Sequence, residues 1–486
     1  MATLVRAPAP APRRSAPEYR IQDVVVVAAP AALALVLCLY ELTARSLWLD
    51  EAATVAIAGQ HGSALWSAIA HDGGNMLGYY ALLHVLIGWF GHGALVIRLP
   101  SAVAAATCAG IVALLGRRLF DRRVGVVAGA LTAVSLPVVF WGQDARGYAP
   151  MLALVAGSFL AFAALVQTGG RRAWIAYTVL TALAAYASFI AVFILPAQLI
   201  ALIWRRQAWR RVASALVACA VCWVPLAVLA LTRGSGQLFW IPRPSLKAEG
   251  QVIKTLTSAA FEPNFRPTWA ATGLAIVTVA LLAVAAIRLV RRPDWGALLA
   301  LSWLVVPVAL IWLESLLGQS LFTPRNALVA LPAVALLLAW LLARSRTGWV
   351  AVAILIALRA AALVPSYGVS PENWRAATAY VLHGERPGDC LAFYPLDARM
   401  PFAYYADQPV VPYVERYEAP RLPSGCRRVW LAVSHQGQPN GPAGSRAHYA
   451  RYVALRDTLA REYGQPSTRA FGYASVIWVQ RFGPRR

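Results

Sequence analysis

Long apolar runs recur along this chain, and they constrain its fold more than any other feature. A transmembrane helix needs about 20 predominantly apolar residues to cross the hydrocarbon core of a bilayer, within a range of roughly 17–25. Many runs here approach or reach that length, in a chain of 486 residues of which 59% are hydrophobic and only 13% are charged. A water-soluble domain of this size does not have that balance. The chain is therefore predicted to be a mainly α-helical, polytopic membrane protein.

Arginine clusters between the apolar runs indicate how the chain crosses the membrane. The net charge of +23 would suggest nucleic acid binding in a soluble protein, but here the clusters are typical of topology signals and lipid contacts. The run 77–90 has only about 14 residues, which is short for a span. If it is an interfacial helix, the positive-inside rule is obeyed. The arginines then placed in the cytoplasm are Arg117, Arg118, Arg122, Arg123, Arg171, Arg172, Arg205, Arg206, Arg210, Arg211, Arg288, Arg291, Arg292, Arg344 and Arg346.

About eleven spans follow from this assignment. Their approximate bounds are 24–41, 96–116, 124–140, 148–167, 174–187, 189–204, 212–231, 269–288, 295–316, 327–343 and 349–364. Residues 1–23, rich in Pro, Ala and Arg, are predicted to be a disordered cytoplasmic tail. Residues 24–364 are predicted to form the membrane domain, with interfacial helices in its first outer loop, 42–95. The abundance of alanine and the excess of arginine over lysine suggest a bacterial chain, and hence a bacterial plasma membrane.

After residue 364 the pattern changes from long apolar runs to mixed polarity. Residues 365–486 are predicted to form a small α/β domain on the outer face of the membrane. The predicted strands are 390–394, 428–433 and 474–479, and the predicted helices are 371–383 and 447–462. Cys390 and Cys426 lie near the starts of two predicted strands, in an oxidising compartment where they can form a disulfide. Two unpaired buried thiols are the alternative.

Two adjacent carboxylates, Asp50 and Glu51, follow directly after the first apolar run. Acidic residues are common at helix N-termini because they complement the dipole and cap free amides, which is the simpler interpretation. A third acid, Asp144, lies in a separate outer loop. Acids that converge from two loops favour a functional site. Asp50 and Glu51 are therefore the candidate catalytic residues, acting as a general base on a lipid-bound substrate.

Arg146 and Arg325 lie on short outer loops, where the positive-inside rule predicts few arginines. Arg325 lies where the chain re-enters the membrane, at the depth of the lipid headgroups, and a guanidinium fork there suits a phosphate. An arginine that snorkels to the lipid headgroups is the alternative. Both arginines are candidate phosphate-binding residues.

Histidines cluster in the first outer loop. They are His61, His71, His84 and His92. No pair of them has a short ligand spacing on one helix face, so no metal site is predicted. Trp48 could stack on a sugar or belong to the aromatic belt of the membrane. The sequence has no glycine-rich phosphate loop and no Ser, His and Asp in triad order, which argues against an enzyme of soluble nucleotides, and no cofactor is predicted.

Several short motifs occur in a characteristic order. They are LWLDE at 47–51, YYALLH at 79–84, RLPS at 98–101, GRRLF at 116–120, QDARGY at 143–148, PRN at 324–326 and, more weakly, PENWR at 371–375. In order and spacing this set resembles the GT-C superfamily of membrane glycosyltransferases. The resemblance is to the branch that contains protein O-mannosyltransferases, bacterial aminoarabinose transferases and actinobacterial mannosyltransferases that use polyprenyl phosphomannose. It covers residues 46–326, and the C-terminal domain matches only loosely.

The resemblance implies an inverting transfer of a sugar from a polyprenyl-phosphate donor to an acceptor hydroxyl at the outer membrane face, usually without a metal. Asp50 matches the catalytic aspartate of the family and would take the acceptor proton, while Glu51 would help to orient donor or acceptor. Arg325 matches the position that stabilises the leaving phosphate, and Arg146 is assigned to the same phosphate. The run 77–90 corresponds to the juxtamembrane helix of the family. The residues expected to orient substrate are Asp144, Tyr79, Tyr80, Trp48 and His71.

The chain departs from the family at positions expected to line the pocket. Many relatives have His-Pro-Pro-Leu-Tyr-Tyr where this chain has NMLGYY at 75–80, a Glu is common in place of Asp144, and YASF at 186–189 lacks the frequent Thr-His-Tyr. Mannose is the first expectation for the sugar, with arabinofuranose or another sugar as the alternative. The acceptor is expected to be a lipoglycan, a glycolipid or a protein. A transporter or flippase for lipid-linked sugars is the rival class, but it predicts acids near the midplane and repeated halves with broken helices, and the sequence shows neither clearly.

Overall fold

The computed structural model describes residues 21–233, 238, 241–260, 269–412, 425–438, 446–473 and 476–484. Residues 1–20, which make up most of the predicted cytoplasmic tail, lie outside the described residues. The first helix begins at Ile21.

Up to residue 363, the described part of the chain is mainly helical. The N-terminal helices are α1 (Ile21–Leu39), α2 (Leu49–Ala58), α3 (Gly62–His71) and α4 (Leu77–Phe90). They are followed by α5 (Ala94–Leu119), α6 (Arg122–Ala133), α7 (Leu136–Gly142), α8 (Tyr148–Gln167), α9 (Arg171–Ala187), α10 (Leu195–Leu202) and α11 (Trp209–Arg233). The last of this part are α12 (Leu246–Leu256), α13 (Trp269–Arg291), α14 (Trp295–Leu317), α15 (Pro324–Ala327), α16 (Leu331–Leu342) and α17 (Arg346–Leu363).

In the described part of the chain, seven helical segments are long and apolar enough to cross a membrane, or eight if α6 and α7, which meet at 59°, form one span. The predicted number was about eleven, and all of the runs predicted as spans are helical. The two counts differ partly because α1 contributes only a short apolar stretch and because 189–231, predicted as two spans, enters the count of seven as one segment, although its backbone is kinked at Arg205 between α10 and α11. The helices fit the predicted polytopic fold class, and the number of crossings stays a prediction.

Small residues allow α1, α5 and α6 to pack closely. Gly125 and Gly129 lie one turn apart on α6, and a Cβ added to Gly125 would come within 2.6 Å of the carbonyl oxygen of Ala113 on α5. A Cβ on Gly129 would lie 2.7 Å from the Ala113 side chain and 2.8 Å from Pro30 on α1. Small residues four apart bring helices together in a bilayer, where apolar surface alone does not distinguish helix from lipid. These helices form a close-packed support for the turn that follows α1.

After α17 the chain forms an α/β unit, which we call the C-terminal unit. Its helices are α18 (Trp374–Gly384), α19 (Arg399–Tyr405) and α20 (Arg446–Tyr463), and its strands are β1 (Asp389–Tyr394), β2 (Arg428–Val433), β3 (Ser467–Phe471) and β4 (Ile477–Phe482). The sheet order is β1-β2-β4-β3, with β1 and β2 parallel and the other pairs antiparallel. Trp430 of β2 packs with α18 on one face of the sheet, and Leu431 packs with α20 on the other, as the two-residue period of a strand requires.

Two details of the sheet differ from the sequence prediction. The strand predicted at 474–479 begins at Ile477 and continues to Phe482. Strand β3 was not predicted, because four of its five residues are exposed and it has little of the apolar alternation that marks a half-buried strand. Cys390 in β1 and Cys426, just before β2, are joined by a disulfide bond.

The C-terminal unit holds the turn between α1 and α2. The backbone N–H of Ser46 donates to Ser370 Oγ over 2.9 Å, and the N–H of Arg375 donates to Ser46 Oγ over 3.1 Å. The guanidinium of Arg375 donates to two further carbonyls of the turn. The N–H of Leu47 donates to the hydroxyl of Tyr405 over 2.6 Å. The turn that leads into the helix of the predicted catalytic acids is therefore fixed by residues more than 300 positions away in sequence.

Candidate active site

The first turn of α2 places the two predicted catalytic acids. The helix begins at Leu49, and Trp48 is its N-cap residue, with an extended backbone and no side-chain cap. The N–H of Leu49 donates instead to Glu372 Oε2 over 3.0 Å. Asp50 and Glu51 follow in the first turn, where acids complement the helix dipole. Successive residues are about 100° apart around a helix, so the two carboxylates face different surroundings.

Asp50 contacts both predicted phosphate-binding arginines. Arg325 Nη1 donates to Asp50 Oδ2 over 2.9 Å, and Arg146 Nη2 lies 3.9 Å from the same oxygen. The side chain of Asp50 keeps 29% of its surface exposed, compared with 18% for Arg325 and 14% for Arg146. We call these three side chains the Asp50 cluster. They come from α2, from α15 and from the loop before α8, and the structure brings them together where a ligand can reach them.

Glu51 faces the protein interior, and its side chain is 1% exposed. Arg98 of α5 donates to both of its oxygens, from Nε to Oε1 over 2.7 Å and from Nη2 to Oε2 over 2.6 Å. The N–H of Ala145 also donates to Oε1, over 2.9 Å. Arg98 Nη1 donates to the carbonyls of Leu42 and Arg45. This two-point ion pair fastens α2 to α5, which suits a positioning role for Glu51 more than contact with substrate.

Asp144 lies behind the Asp50 cluster and is 2% exposed. Its Oδ2 accepts a hydrogen bond from Trp48 Nε1 over 2.7 Å, while Oδ1 is buried without a hydrogen-bond partner among the described residues. Burial raises the pKa of Asp144 well above its usual range, and the charge of Glu51 adds to this against the opposing charge of Arg45. The guanidinium of Arg325 lies 4.7 Å from the Trp48 ring centroid. Asp144 therefore orients Trp48, and Trp48 supports Arg325 by a cation–π contact.

The other residues predicted to orient substrate lie on α3 and α4. Tyr79 is buried, and its hydroxyl contacts Ser101 Oγ at 2.9 Å and a carbonyl of α5 at 3.1 Å. Tyr80 is also buried, and its hydroxyl donates to Asp72 Oδ2 over 2.9 Å. His71 is half-buried at the end of α3, next to Asp72. Both tyrosine hydroxyls are thus bonded within the protein, where they fix the position of α4.

Arg146 links its loop to α2 at more than one point. Its Nη1 donates to Thr54 Oγ1 over 3.1 Å and lies 3.4 Å from the carbonyl oxygen of Asp50. The next residue, Gly147, packs so close to α9 that a Cβ would lie 2.5 Å from the carbonyl oxygen of Ala187. A larger residue at position 147 would displace this loop and, with it, Arg146.

The C-terminal unit contributes two residues that the sequence analysis did not assign to the site. Glu372 is 3% exposed, and its Oε2 accepts from Trp374 Nε1 over 2.7 Å as well as from Leu49. Its Oε1 lies 3.1 Å from Nδ1 of His435, which follows β2. Glu372 belongs to the weak PENWR motif, which could have indicated it. His435 belongs to none of the sequence motifs. Only the fold places it next to Glu372, so no local pattern in the sequence indicates it.

The arrangement of the site limits what it can do chemically. A partly exposed carboxylate such as Asp50 can accept a proton, and two guanidinium groups beside it can bind an oxyanion. Within the described ranges, no three side chains of His, Cys, Asp or Glu are grouped so that they could hold a metal ion. The geometry suits removal of a proton from one group together with stabilisation of negative charge on another.

A family profile matches part of the sequence. Residues 75–232 match the sequence profile of the family described as dolichyl-phosphate-mannose-protein mannosyltransferase. This match includes Asp144 and Arg146 but not Asp50 or Arg325. No curated protein matches the chain in sequence.

Solved structures share the fold at low sequence identity. ArnT from Cupriavidus metallidurans bound to undecaprenyl phosphate superposes with a TM-score of 0.58 at 14% identity, over 95% of this chain and 98% of that one. The oligosaccharyltransferase AglB from Archaeoglobus fulgidus, in complex with an inhibitory peptide and a dolichol-phosphate, has a TM-score of 0.54 at 12% identity, over 93% of this chain and 74% of that one. The chain therefore shares the fold of ArnT and AglB over nearly its whole length, and residues 75–232 match the profile of a mannosyltransferase family.

Proposed function

We propose that this chain is an inverting glycosyltransferase that moves a sugar from a polyprenyl-phosphate donor to an acceptor hydroxyl at the outer face of a bacterial plasma membrane. Mannose is the proposed sugar, because the profile that matches residues 75–232 is that of a mannosyltransferase family. The acceptor would be a lipoglycan, a glycolipid or a protein. The undecaprenyl phosphate and dolichol-phosphate bound by the two structural neighbours support a lipid-linked donor.

The proposed reaction is a single displacement at the anomeric carbon. Asp50 takes the proton of the acceptor hydroxyl while the acceptor oxygen forms its bond to that carbon. The bond between the anomeric carbon and the phosphate oxygen breaks, and its electron pair leaves with the polyprenyl phosphate. Arg325 and Arg146 stabilise the charge that builds on this phosphate. Attack and departure on opposite faces of the sugar invert its configuration.

The accessibility of Asp50 is the observation that carries the proposal. Of the three acids predicted for the site, Glu51 and Asp144 are almost fully buried and bonded within the protein. Asp50 keeps 29% of its side chain exposed and lies 2.9 Å from Arg325. In a direct displacement the base and the phosphate-binding group act on opposite faces of one anomeric carbon, so both must lie within reach of the same sugar, as neighbouring side chains can.

The proposal is tested by sugar transfer from defined donors. Purified protein is incubated with membrane acceptors and polyprenyl-phosphate mannose, arabinofuranose or glucose, and labelled product is counted. We expect transfer from one of these donors, mannose first. Asp50→Asn should reduce transfer by at least about a hundredfold, because the amide cannot accept the proton.

The matched control is Asp457→Asn, which makes the same change at an exposed aspartate that pairs with Arg456 on α20. It should transfer sugar at the native rate. Native turnover in Asp50→Asn would remove Asp50 as the base. Failure of the native protein to use any polyprenyl-phosphate sugar would overturn the proposed reaction class.

A further inference from the structure

We propose that His435, held by Glu372, is a further substrate-contacting residue, and that the C-terminal unit thereby completes the active site. In this proposal the imidazole donates a hydrogen bond from Nε2 to the phosphate of the lipid-linked sugar donor. The inference rests on the proposed function and deepens it, because it gives the C-terminal unit a part in donor binding.

One edge of the sheet in the C-terminal unit, at the carboxyl ends of β1 and β2, lies next to α2. Strands β1 and β2 are parallel, so their carboxyl ends lie at the same edge, and ligands of α/β sheets bind outside such edges. His435 follows β2 at this edge. Met400, which follows β1, packs against Leu49 and Ala52 of α2. The edge of the sheet where a ligand is expected is therefore the edge that contacts the helix carrying Asp50.

Glu372 and His435 form a pair in which a buried carboxylate orients a partly exposed imidazole. His435 Nδ1 lies 3.1 Å from Glu372 Oε1, and the two side chains are 34% and 4% exposed, respectively. Because Nδ1 is bonded to the carboxylate, the opposite ring nitrogen is the one available to a ligand. Nε2 has no hydrogen-bond partner among the described residues.

Glu372 also ties this imidazole to the Asp50 cluster. Its second oxygen accepts the N–H of Leu49, the residue before Asp50. A single carboxylate thus positions both the start of α2 and the ring of His435. Any movement of the C-terminal unit relative to α2 would strain the contact between Glu372 and Leu49 and change the distance between the imidazole and the proposed base.

The charges around His435 favour its protonated form. Burial by itself would lower the pKa of His435, but the hydrogen bond to Glu372 and the charge of that carboxylate outweigh burial, so the pKa is raised above its ordinary value. Asp50 raises the pKa further and Arg325 lowers it, so two of the three side chains of the Asp50 cluster are near enough to act on the ring. A protonated imidazole has N–H groups on both nitrogens, so Nε2 is a charged donor.

A charged donor beside Arg325 suits a phosphate. The phosphate of a polyprenyl-phosphate sugar carries one negative charge, and a second develops as the sugar leaves. Hydrogen bonds from charged donors to oxyanions are short and strong. His435 would therefore stabilise the bound donor and, more strongly, the departing phosphate, without itself transferring a proton.

The test is equilibrium binding of polyprenyl-phosphate mannose to the full chain in detergent, without acceptor, between pH 6 and 8.5. This donor is a phosphodiester whose charge is constant over that range. Native protein should bind it more weakly as the pH rises through the raised pKa of His435. His435→Gln should raise the Kd about tenfold at pH 6 and remove most of the pH dependence. His435→Ala, which removes the ring entirely, should do the same, and Glu372→Gln should move the pH dependence to lower pH.

The matched control is His383→Gln, which changes an exposed histidine of α18 in the same C-terminal unit. It should bind the donor like the native protein at every pH. Native Kd values and native pH dependence in both His435 variants would overturn the role of His435 while leaving the proposed reaction intact. If the native protein binds no polyprenyl-phosphate sugar, the proposed function fails instead.

Discussion

At the scale of single residues, two neighbouring acids have different surroundings because they lie on different sides of one helix. Asp50 is partly exposed and pairs with Arg325, whereas Glu51 is buried and pairs with Arg98. The sequence analysis grouped both acids as catalytic, since adjacent residues cannot be separated by position alone. Which of two adjacent carboxylates points inward depends on where Arg98 packs, and only the fold determines that.

The buried pair gives a prediction about stability. Glu51→Gln leaves the guanidinium of Arg98 buried without its charge partner, which costs about 3–5 kcal/mol in comparable pairs. We expect the thermal midpoint of the purified protein to fall by about 10 °C. Glu385→Gln, at an exposed glutamate of the C-terminal unit, should leave the midpoint unchanged. A Glu51→Gln protein as stable as the native one would show that the ion pair does not hold α2 in place.

Arg325 gives a prediction about substrate use. Because its guanidinium is proposed to bind the donor phosphate, Arg325→Ala should raise the KM for the donor by at least about tenfold and change the KM for the acceptor much less. Steady-state kinetics with each substrate varied in turn measure both. Arg243→Ala, at an exposed arginine of the described loop before α12, is the matched control. Equal losses for donor and acceptor would count against the phosphate role.

At the scale of elements, the helices were predictable and their docking was not. The predicted run 77–90 coincides with α4, and the apolar runs became helices, because length and composition largely decide membrane helices. The start of α2, in contrast, has no side-chain cap of its own and depends on Glu372 and Tyr405. Those contacts join parts of the chain that no local pattern connects, so sequence periodicity could not reveal them.

Helix α17 carries a buried arginine that permits a test of the bundle. Arg359 is 1% exposed; its Nη1 donates to a backbone carbonyl, and its Nε and Nη2 have no partner among the described residues. It lines a small cavity together with Thr132, Ser135 and Ser258.

Replacing this arginine should not weaken the fold. A buried charge without a partner destabilises the folded state, and methionine fills similar space without unsatisfied N–H groups. We therefore expect Arg359→Met to have a thermal midpoint equal to or above that of the native protein. Ser258→Ala, at a neighbouring position of the same cavity, shows how far the thermal midpoint shifts when another side chain of the cavity is changed. A fall of more than about 5 °C in Arg359→Met alone would indicate that an anion compensates this charge.

At the scale of the whole molecule, the C-terminal unit is part of the site's construction. It bonds to the turn before α2, and Glu372 joins the first residue of α2 to His435. The strand-like runs of this region predict an α/β domain, but they do not indicate its role. Residues 323 positions apart, such as Leu49 and Glu372, become neighbours only through the packing of this unit, and no spacing in the sequence signals such a contact.

The disulfide gives a prediction about the stability of the C-terminal unit. Cys390 and Cys426 are 36 residues apart, and closing a loop of that size stabilises a fold by about 4 kcal/mol in the chain-entropy description. Cys390→Ser with Cys426→Ser should lower the protease resistance of the C-terminal unit and leave that of the helical part unchanged. Non-reducing peptide mass spectrometry of the native protein should find the two cysteines linked. Finding both as free thiols would contradict the bond.

The central claim is that Asp50 removes a proton from the acceptor while sugar leaves the phosphate, and a single-turnover rate tests it most directly. Native protein, Asp50→Asn and Asp457→Asn are each saturated with labelled polyprenyl-phosphate mannose and mixed with acceptor membranes. We predict that donor binding persists in all three, while the rate of sugar transfer falls by about a hundredfold to ten-thousandfold in Asp50→Asn alone. Transfer at the native rate in Asp50→Asn would contradict the claim.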